Sequence, residues 1–158
     1  MKIGIGSDKS GFLLKEEIKK YLEKEGHEVF DVGTTDVNDV KPYYVGAVNV
    51  SKGLQEKAFD KGVLICGTGA GVSIVANTFK GVYAVASESI YSARMATIIN
   101  GANCLCMGGW IVTPEVGVQM VKAFLSAKRF EDCEGWRIKW LSNADKEVSK
   151  IENQNIKD

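Results

Sequence analysis

The residues of this chain best equipped for chemistry stand together in one stretch, Val63-Leu64-Ile65-Cys66-Gly67-Thr68-Gly69-Ala70-Gly71-Val72-Ser73-Ile74. Cys66 brings a titratable sulfur and Thr68 a hydroxyl, interleaved with Gly67, Gly69 and Gly71. The apolar, β-branched run before Cys66 reads as a buried strand, and the residues from Val72 onward read as the opening of a helix. A strand feeding a glycine turn feeding a helix gathers backbone N–H groups around one point, with the positive helix end behind them. Such a point receives negative charge, either an oxyanion or a phosphate. A thiol at its edge lies in a field that favours the thiolate, the form in which cysteine acts as nucleophile or base.

Other readings of the turn compete. A dinucleotide fingerprint is G-x-G-x-x-G; here Gly67, Gly69 and Gly71 fall one residue short, although Glu88 stands where an acidic partner would be expected. A Walker A loop needs Gly-Lys-Ser/Thr, which is absent. A tight strand-to-helix connection with no ligand is the plain structural alternative.

Positioning these groups requires regular alternation of strand and helix, and the chain has it. Lys2 to Gly6 reads as a strand, and Ser7-Asp8-Lys9-Ser10-Gly11 as the turn after it. Phe12, Leu13, Ile18, Tyr21 and Leu22 recur at helical spacing up to Gly26, a helix stop. Strand Glu28–Val32, helix Tyr43–Leu54, strand Lys61–Cys66, a helix to about Thr78, strand Val82–Ala86, helix Ile90–Asn100 closed by Gly101, and strand Asn103–Met107 follow. Thr113-Pro114-Glu115 then starts a helix, threonine as N-cap and proline at the first position, with Val116, Met120, Val121 and Phe124 as its apolar face. Five such alternations predict an α/β fold, a five-stranded parallel sheet with helices on both faces, and a ligand site at the carboxyl ends of the strands. The turns after the first, third and fourth strands, holding Asp8 and Lys9, Cys66 to Gly71, and Ser87 to Tyr91, are then expected to converge. Residues 130–158 are polar, with Trp136, Trp140 and Leu141 as their large apolar groups, and read as a loop, an exposed or partner-facing helix and a loose tail. This C-terminal extension belongs to a single domain spanning 1–158.

Composition narrows the function classes. At 158 residues the chain can bury a substantial core. Twenty basic and twenty acidic side chains cancel, which gives no electrostatic reason to expect nucleic acid or an anionic membrane as partner. No apolar run approaches the roughly 20 residues of a membrane span, and the opening residues show no signal-peptide pattern, so a cytoplasmic protein is expected. The four cysteines lack a C-x-x-C pair, and His27, the only histidine, is far from them in sequence, so no metal site is expected. Cys104 and Cys106 read as small core residues on one face of a strand. His27 falls at the helix-to-strand end of the sheet, opposite the predicted site, which leaves no histidine acid or base there within the chain.

The same residues carry a resemblance to a known family. Gly6-Ser7-Asp8-x-x-Gly11, Asp31-Val32-Gly33-Thr34, the block from Ile65 to Ile74 with Ala76-Asn77, Tyr91-Ser92-Ala93-Arg94 and Asn100-x-Ala102-Asn103 resemble the type B ribose-5-phosphate isomerases, with the galactose-6-phosphate isomerase subunits and related tetrose-phosphate isomerases. The resemblance runs from Met1 to about Leu125 and is weaker beyond. It implies a Rossmann-like three-layer sandwich, a homodimer or homotetramer with the active site at the subunit interface, and aldose–ketose isomerisation of a phosphorylated sugar without metal or cofactor. Cys66 would be the base that moves a proton between C1 and C2 of the open-chain sugar, with Thr68 assisting. The N–H groups of the glycine turn would hold the enediolate oxygen rather than a phosphate. The substrate contacts implied are Asp8, Lys9, Tyr43, Gly67, Gly69, Ala70, Gly71, Ser73, Asn100 and Arg137.

Departures from the family pattern bear on the substrate. Lys9 stands where the family usually has histidine, and Ile99 where a second histidine, reaching in from the neighbouring subunit, opens the furanose ring. Val40-Lys41-Pro42-Tyr43-Tyr44 replaces an Asp-Tyr-Pro. Of two phosphate-binding arginines in the tail, Arg137 matches one, while Cys133 or Glu134 falls near the other; Lys9 and Lys139 are cationic substitutes. Ribose 5-phosphate is the family's commonest substrate and the first expectation. A tetrose 4-phosphate, whose O4 is esterified and cannot close a furanose, is the alternative that the missing histidine favours. A pentose or hexose phosphate isomerase drawing its acid from Tyr43, Tyr44 or an unlike partner chain is a further reading, and a non-catalytic sugar-phosphate binder the last.

Overall fold

Side-chain alternation along the central strand creates a two-sided core. The computed structural model describes residues 1–156, in the order β1 (Lys2–Ser7), α1 (Phe12–Lys24), β2 (Glu28–Asp31), α2 (Tyr43–Gln55), β3 (Lys61–Cys66), α3 (Ala70–Ala76), β4 (Ala84–Ala86), α4 (Ile90–Asn100), β5 (Cys104–Gly108), α5 (Pro114–Ser126) and α6 (Gly135–Asn155). The five strands are parallel and lie in the order β2-β1-β3-β5-β4. Val63 and Ile65 of β3 face a core shared with Leu14, Ile18 and Leu22 of α1, Ala93 and Ala96 of α4, and Met120, Val121 and Phe124 of α5. Leu64 and Cys66 face the opposite core, shared with Ala47, Val50 and Leu54 of α2 and Val72 and Ala76 of α3. Burial on both faces is what parallel strands require. The expected α/β fold with a five-stranded parallel sheet is the one observed.

The sheet order corrects one expectation. β5 lies between β3 and β4, so the turn beside the glycine loop is the one after β5. The Ser87–Tyr91 turn, with Glu88, follows the edge strand β4. The chain leaves β1 toward β2 on one side and toward β3 on the other, which makes the carboxyl ends of β1 and β3 the topological switch point.

Further differences have local causes. β4 starts at Ala84, not Val82, because the Val82 N–H closes a turn onto Phe79 O at 3.1 Å and the Tyr83 N–H donates to Asn103 Oδ1 at 2.8 Å. The inward stripe of α1 is Leu14, Lys15, Ile18 and Leu22, while Leu13 is 77% exposed. Lys15 is fully buried; its Nζ donates to Thr34 O at 2.7 Å and pairs with Asp31 and Glu16, pinning the loop that leads into α2. Thr113 caps α5 with Pro114 behind it as expected, but Val116 is exposed and Gly117 takes its place on the inner face. The tail is not loose up to Asn155. α6 continues to that residue, with Leu141 buried and Glu152 accepting from the Gly81 N–H at 2.6 Å and the Tyr83 hydroxyl at 3.2 Å. The last two residues of the expected tail lie outside the described ones. Among the described residues no helix is long and apolar enough to cross a membrane.

Candidate active site

Cys66 is the last residue of β3 and is 5% exposed. The chain then turns through Gly67 and Thr68 to Gly69, whose φ of 80° lies in the left-handed region open to glycine. That turn brings the Gly69 N–H onto Cys66 Sγ at 3.2 Å. α3 starts at the next residue, so the donors of its first turn, which have no intrahelical partner, face the same end of the sheet. Thr68 is exposed, and its Oγ1 accepts from the Ala70 N–H at 3.3 Å. The Ser73 hydroxyl donates to Ala70 O at 3.0 Å, one turn along the helix.

Three neighbouring segments hold this loop. The Gly109 N–H donates to Cys66 O at 2.7 Å and the Trp110 N–H to Gly67 O at 3.0 Å, so the turn after β5 is laced to the glycine loop. A Cβ at Gly67 would lie 2.8 Å from the Trp110 ring. Trp110, 73% exposed, carries no local signal in the sequence for this contact, because strand order, invisible to local pattern, is what places it there. The turn after β1 packs against both: a Cβ at Gly11 would lie 2.8 Å from Ile65 O, and one at Gly109 would lie 2.3 Å from Ser10 O. Asp8 closes that turn by accepting from the Gly11 N–H at 3.0 Å, which leaves Lys9 exposed beside it. On the other side, backbone contact between β1 and α2 is direct, since a Cβ at Gly6 would lie 3.1 Å from Gly46 Cα. This approach brings Tyr43, the first residue of α2, against the glycine loop, where a Cβ at Gly71 would be 3.0 Å from its ring.

The thiols differ in surroundings. Cys104 and Cys106 are fully buried free thiols in the core facing α2 and α3, as expected. The hydrogen bond with Cys104, then burial, pushes Cys106 well above the ordinary thiol range, so it stays protonated. Of the three, Cys66 alone ends a strand and carries a backbone N–H on its sulfur. His27 sits at the opposite end of the sheet, its Nδ1 3.4 Å from the Met1 amino group.

A single chain divides the expected site residues into two groups. Asp8, Lys9, Tyr43, Cys66, Gly67, Thr68, Gly69, Ala70, Gly71 and Ser73 gather at the carboxyl ends of β1 and β3. Asn100 ends α4, which runs from the carboxyl end of β4 back to the start of β5 and so reaches the amino end of the sheet. Arg137 is on α6 beside it: Ile99, Trp136, Arg137, Trp140 and Leu141 line an apolar cleft of about 360 Å³. The Arg137 guanidinium lies 5.1 Å from the Trp136 ring centroid.

The chain matches the Ribose/Galactose Isomerase family over residues 3–140. It is 47% identical over 152 residues to the 4-deoxy-4-sulfo-D-erythrose isomerase of Clostridium sp. (strain MSTE9), covering 96% of each chain. It is 39% identical over 127 residues to the D-erythrulose-4-phosphate isomerase 2 of Mycolicibacterium smegmatis, covering 79% of this chain and 84% of that one. The solved structure of Clostridium thermocellum ribose-5-phosphate isomerase B superimposes with a TM-score of 0.86 at 34% identity, covering 98% of this chain and 99% of that one. With its parallel sheet and glycine loop laid out in the same fold, this chain belongs to the ribose/galactose isomerase family and is an aldose–ketose isomerase.

Proposed function

We propose that this protein interconverts the aldose and ketose forms of an open-chain four-carbon sugar bearing a strong anion on C4, a sulfonate or a phosphate, in a site completed by a second copy of the chain. The observation that carries the reading is Ile99. By the resemblance it stands where the family has its ring-opening histidine, and it lines an apolar cleft with Trp136, Trp140 and Leu141. Isoleucine transfers no proton. A tetrose with C4 esterified or sulfonated has no free hydroxyl there, forms no furanose and needs no ring opening. The matches to a sulfoerythrose isomerase along 96% of the chain and to an erythrulose-phosphate isomerase support the same length of sugar.

In the reaction, the Cys66 thiolate takes the proton from C2 of the aldose and returns it to C1 of the enediolate. A proton passes between the two oxygens with the help of Thr68. Charge developing on the substrate oxygen meets fixed backbone donors of the loop from Gly67 to Gly71, which cost no reorganisation as it forms. Asp8, Lys9, Tyr43 and Ser73 frame the sugar from the same chain. Asn100 and Arg137 belong to the far end of the sheet and come from the second copy, with Lys139, toward the terminal anion. Exposed apolar side chains support burial of both ends against a partner: Leu13, Ile74 and Trp110 near the glycine loop, Trp136 and Trp140 on α6. The single domain with its C-terminal extension at that interface, a dimer or tetramer, and a cytoplasmic location complete the reading.

The terminal group favoured is the sulfonate. A phosphate carries about −1.5 to −2 charges at neutral pH, a sulfonate one. Cys133 or Glu134 stands near the place of one of the family's two anion-binding arginines, so the chain offers less positive charge than a phosphate site calls for. Ribose 5-phosphate is the second reading, favoured by the close superposition on a ribose-5-phosphate isomerase B.

Proton exchange in heavy water, followed by NMR, tests the proposal with 4-deoxy-4-sulfoerythrose, erythrose 4-phosphate and ribose 5-phosphate offered separately. Exchange and ketose formation fastest with a four-carbon substrate are expected. Ribose 5-phosphate turning over as fast as both tetroses would overturn it.

A further inference from the structure

Arg129 stands between the two elements that carry Ile99, Asn100 and Arg137, and it touches both. Its Nη1 donates to Ile98 O at 2.6 Å, at the carboxyl end of α4 and immediately before Ile99 and Asn100. Its Nη2 donates to both carboxylate oxygens of Asp145 on α6, at 2.8 and 2.9 Å, two turns beyond Arg137. The guanidinium lies 4.3 Å from the Phe130 ring centroid, and the Phe130 N–H adds a second bond to Ile98 O at 3.2 Å. Gly101 leaves room for it: a Cβ there would lie 3.2 Å from Arg129 Nε. A cation on the last carbonyls of a helix is favoured by the helix dipole, and a guanidinium that gives one nitrogen to the Ile98 carbonyl and another to the Asp145 carboxylate spans the gap between α4 and α6 with charge-assisted bonds. The side chain is 22% exposed, which screens the pair less than a fully solvated one.

We infer that Arg129 is a positioning residue that locks the end of α4 to α6, so that one copy presents Asn100 and Arg137 as a single rigid face to the Cys66 site of the other copy. The inference rests on the shared-site reading above. Arg129 touches no substrate in this arrangement and acts only in trans, through the residues it holds. Its removal therefore weakens substrate binding in the partner's site while leaving its own Cys66 and glycine loop intact.

Subunit complementation tests this in the full-length protein. Arg129→Ala homo-oligomers should show KM raised about tenfold, the scale of one lost charge-assisted contact to the substrate, with kcat within about twofold of the unaltered protein. Asp145→Asn keeps the Ile98 contact and weakens the α6 contact, so it should raise KM by a smaller factor, and it serves where Arg129→Ala fails to fold. Each variant is then co-assembled with Cys66→Ala through two different affinity tags. In the mixed oligomer, the variant's intact Cys66 meets the intact face of the Cys66→Ala copy, so KM should return to the unaltered value at about half the kcat per dimer. Arg137→Ala mixed with Cys66→Ala is the control for the shared site. Unaltered KM in both homo-oligomeric variants, or raised KM persisting in the mixed oligomer while the control is restored, would overturn the role of Arg129 alone. Failure of the control would overturn the shared site and this inference with it.

Discussion

The Gly69 N–H points at Cys66 Sγ across 3.2 Å, and the residue that supplies this donor holds a φ of 80° to do so. The same turn sets the first residue of α3 directly behind it. Conformation at one glycine thus aims a donor at the sulfur and brings the helix start to the strand end together. The adjacent core thiol, Cys106, has Cys104 and burial around it instead, and is held in its protonated form. Of these buried cysteines, Cys66 is the one with a backbone donor on its sulfur, and it is the one we propose as the base.

Gly69→Ala tests that relationship. An added Cβ would lie 2.8 Å from the Met107 carbonyl carbon, and a left-handed backbone costs an L-residue about 1–2 kcal/mol. Urea unfolding should show a loss of about 2–4 kcal/mol once the collision is included. Isomerase activity should fall by more than the unfolded fraction explains, because relief of the strain moves the N–H off the sulfur. Activity proportional to the folded fraction would detach Gly69 from the chemistry.

Cys66→Ala removes the proposed base and little else. Exchange of the substrate C2 proton should drop about 10²–10⁴-fold, the usual worth of a general acid–base group. The thermal midpoint should move by only a few degrees, as expected of a loss near 1 kcal/mol. Unchanged exchange would pass the role of base to another group of the loop.

Much of this arrangement is legible along the chain, and what is not has physical causes. The apolar run ending at Cys66, the glycines after it, Gly26 and Gly101 as helix stops and Thr113-Pro114 as a helix start are local signals, and each appears at its place. Strand order is not local. Nothing in the periodicity of a parallel strand says which neighbour it takes, so the insertion of β5 beside β3, with Trp110 over Gly67, comes only from the packed sheet. Nothing local marks Lys15 for burial; Asp31, Glu16 and Thr34 O, gathered around it by the fold, make that burial possible. The end of α6 reads as a loose tail in sequence because its anchors, Gly81 and Tyr83, lie 71 and 69 residues from Glu152 along the chain. The resemblance to the family implies Asn100 and Arg137 as substrate contacts, yet a single chain carries them at the other end of the sheet.

Glu131 offers a test in pH. Its carboxylate accepts the Lys128 N–H at 3.0 Å and pairs with Arg94 of α4 at 2.9 Å, tying that helix to the segment before α6. The backbone bond from Lys128 first, and Arg94 second, hold it below the usual carboxylate range. A depressed folded value means that the stabilisation is present above the unfolded value, about 4.3 for glutamate, and disappears as pH falls through the folded value. Glu131→Gln should therefore be less stable than the unaltered protein at pH 7, with the gap closing in acid. Urea unfolding across that range reads it directly. A gap independent of pH would assign the effect to packing.

Ile99→His probes substrate length from the opposite direction, by restoring what the chain lacks. Ile99 is half-buried in the cleft with Trp136, Trp140 and Arg137, so an imidazole has room at its exposed edge and a cation nearby that favours its neutral form. Neutral imidazole is the form that takes a proton from the anomeric hydroxyl and passes it to the ring oxygen as the furanose opens. For ribose 5-phosphate, which is mostly cyclic, kcat/KM should rise about 10–100-fold, within the worth of one acid–base group. For a sulfonated or phosphorylated tetrose, already open, the same variant should change kcat/KM by no more than about threefold, the scale of altered packing alone. Parallel gains or parallel losses on both substrates would show that Ile99 shapes the site without deciding the length of sugar it accepts.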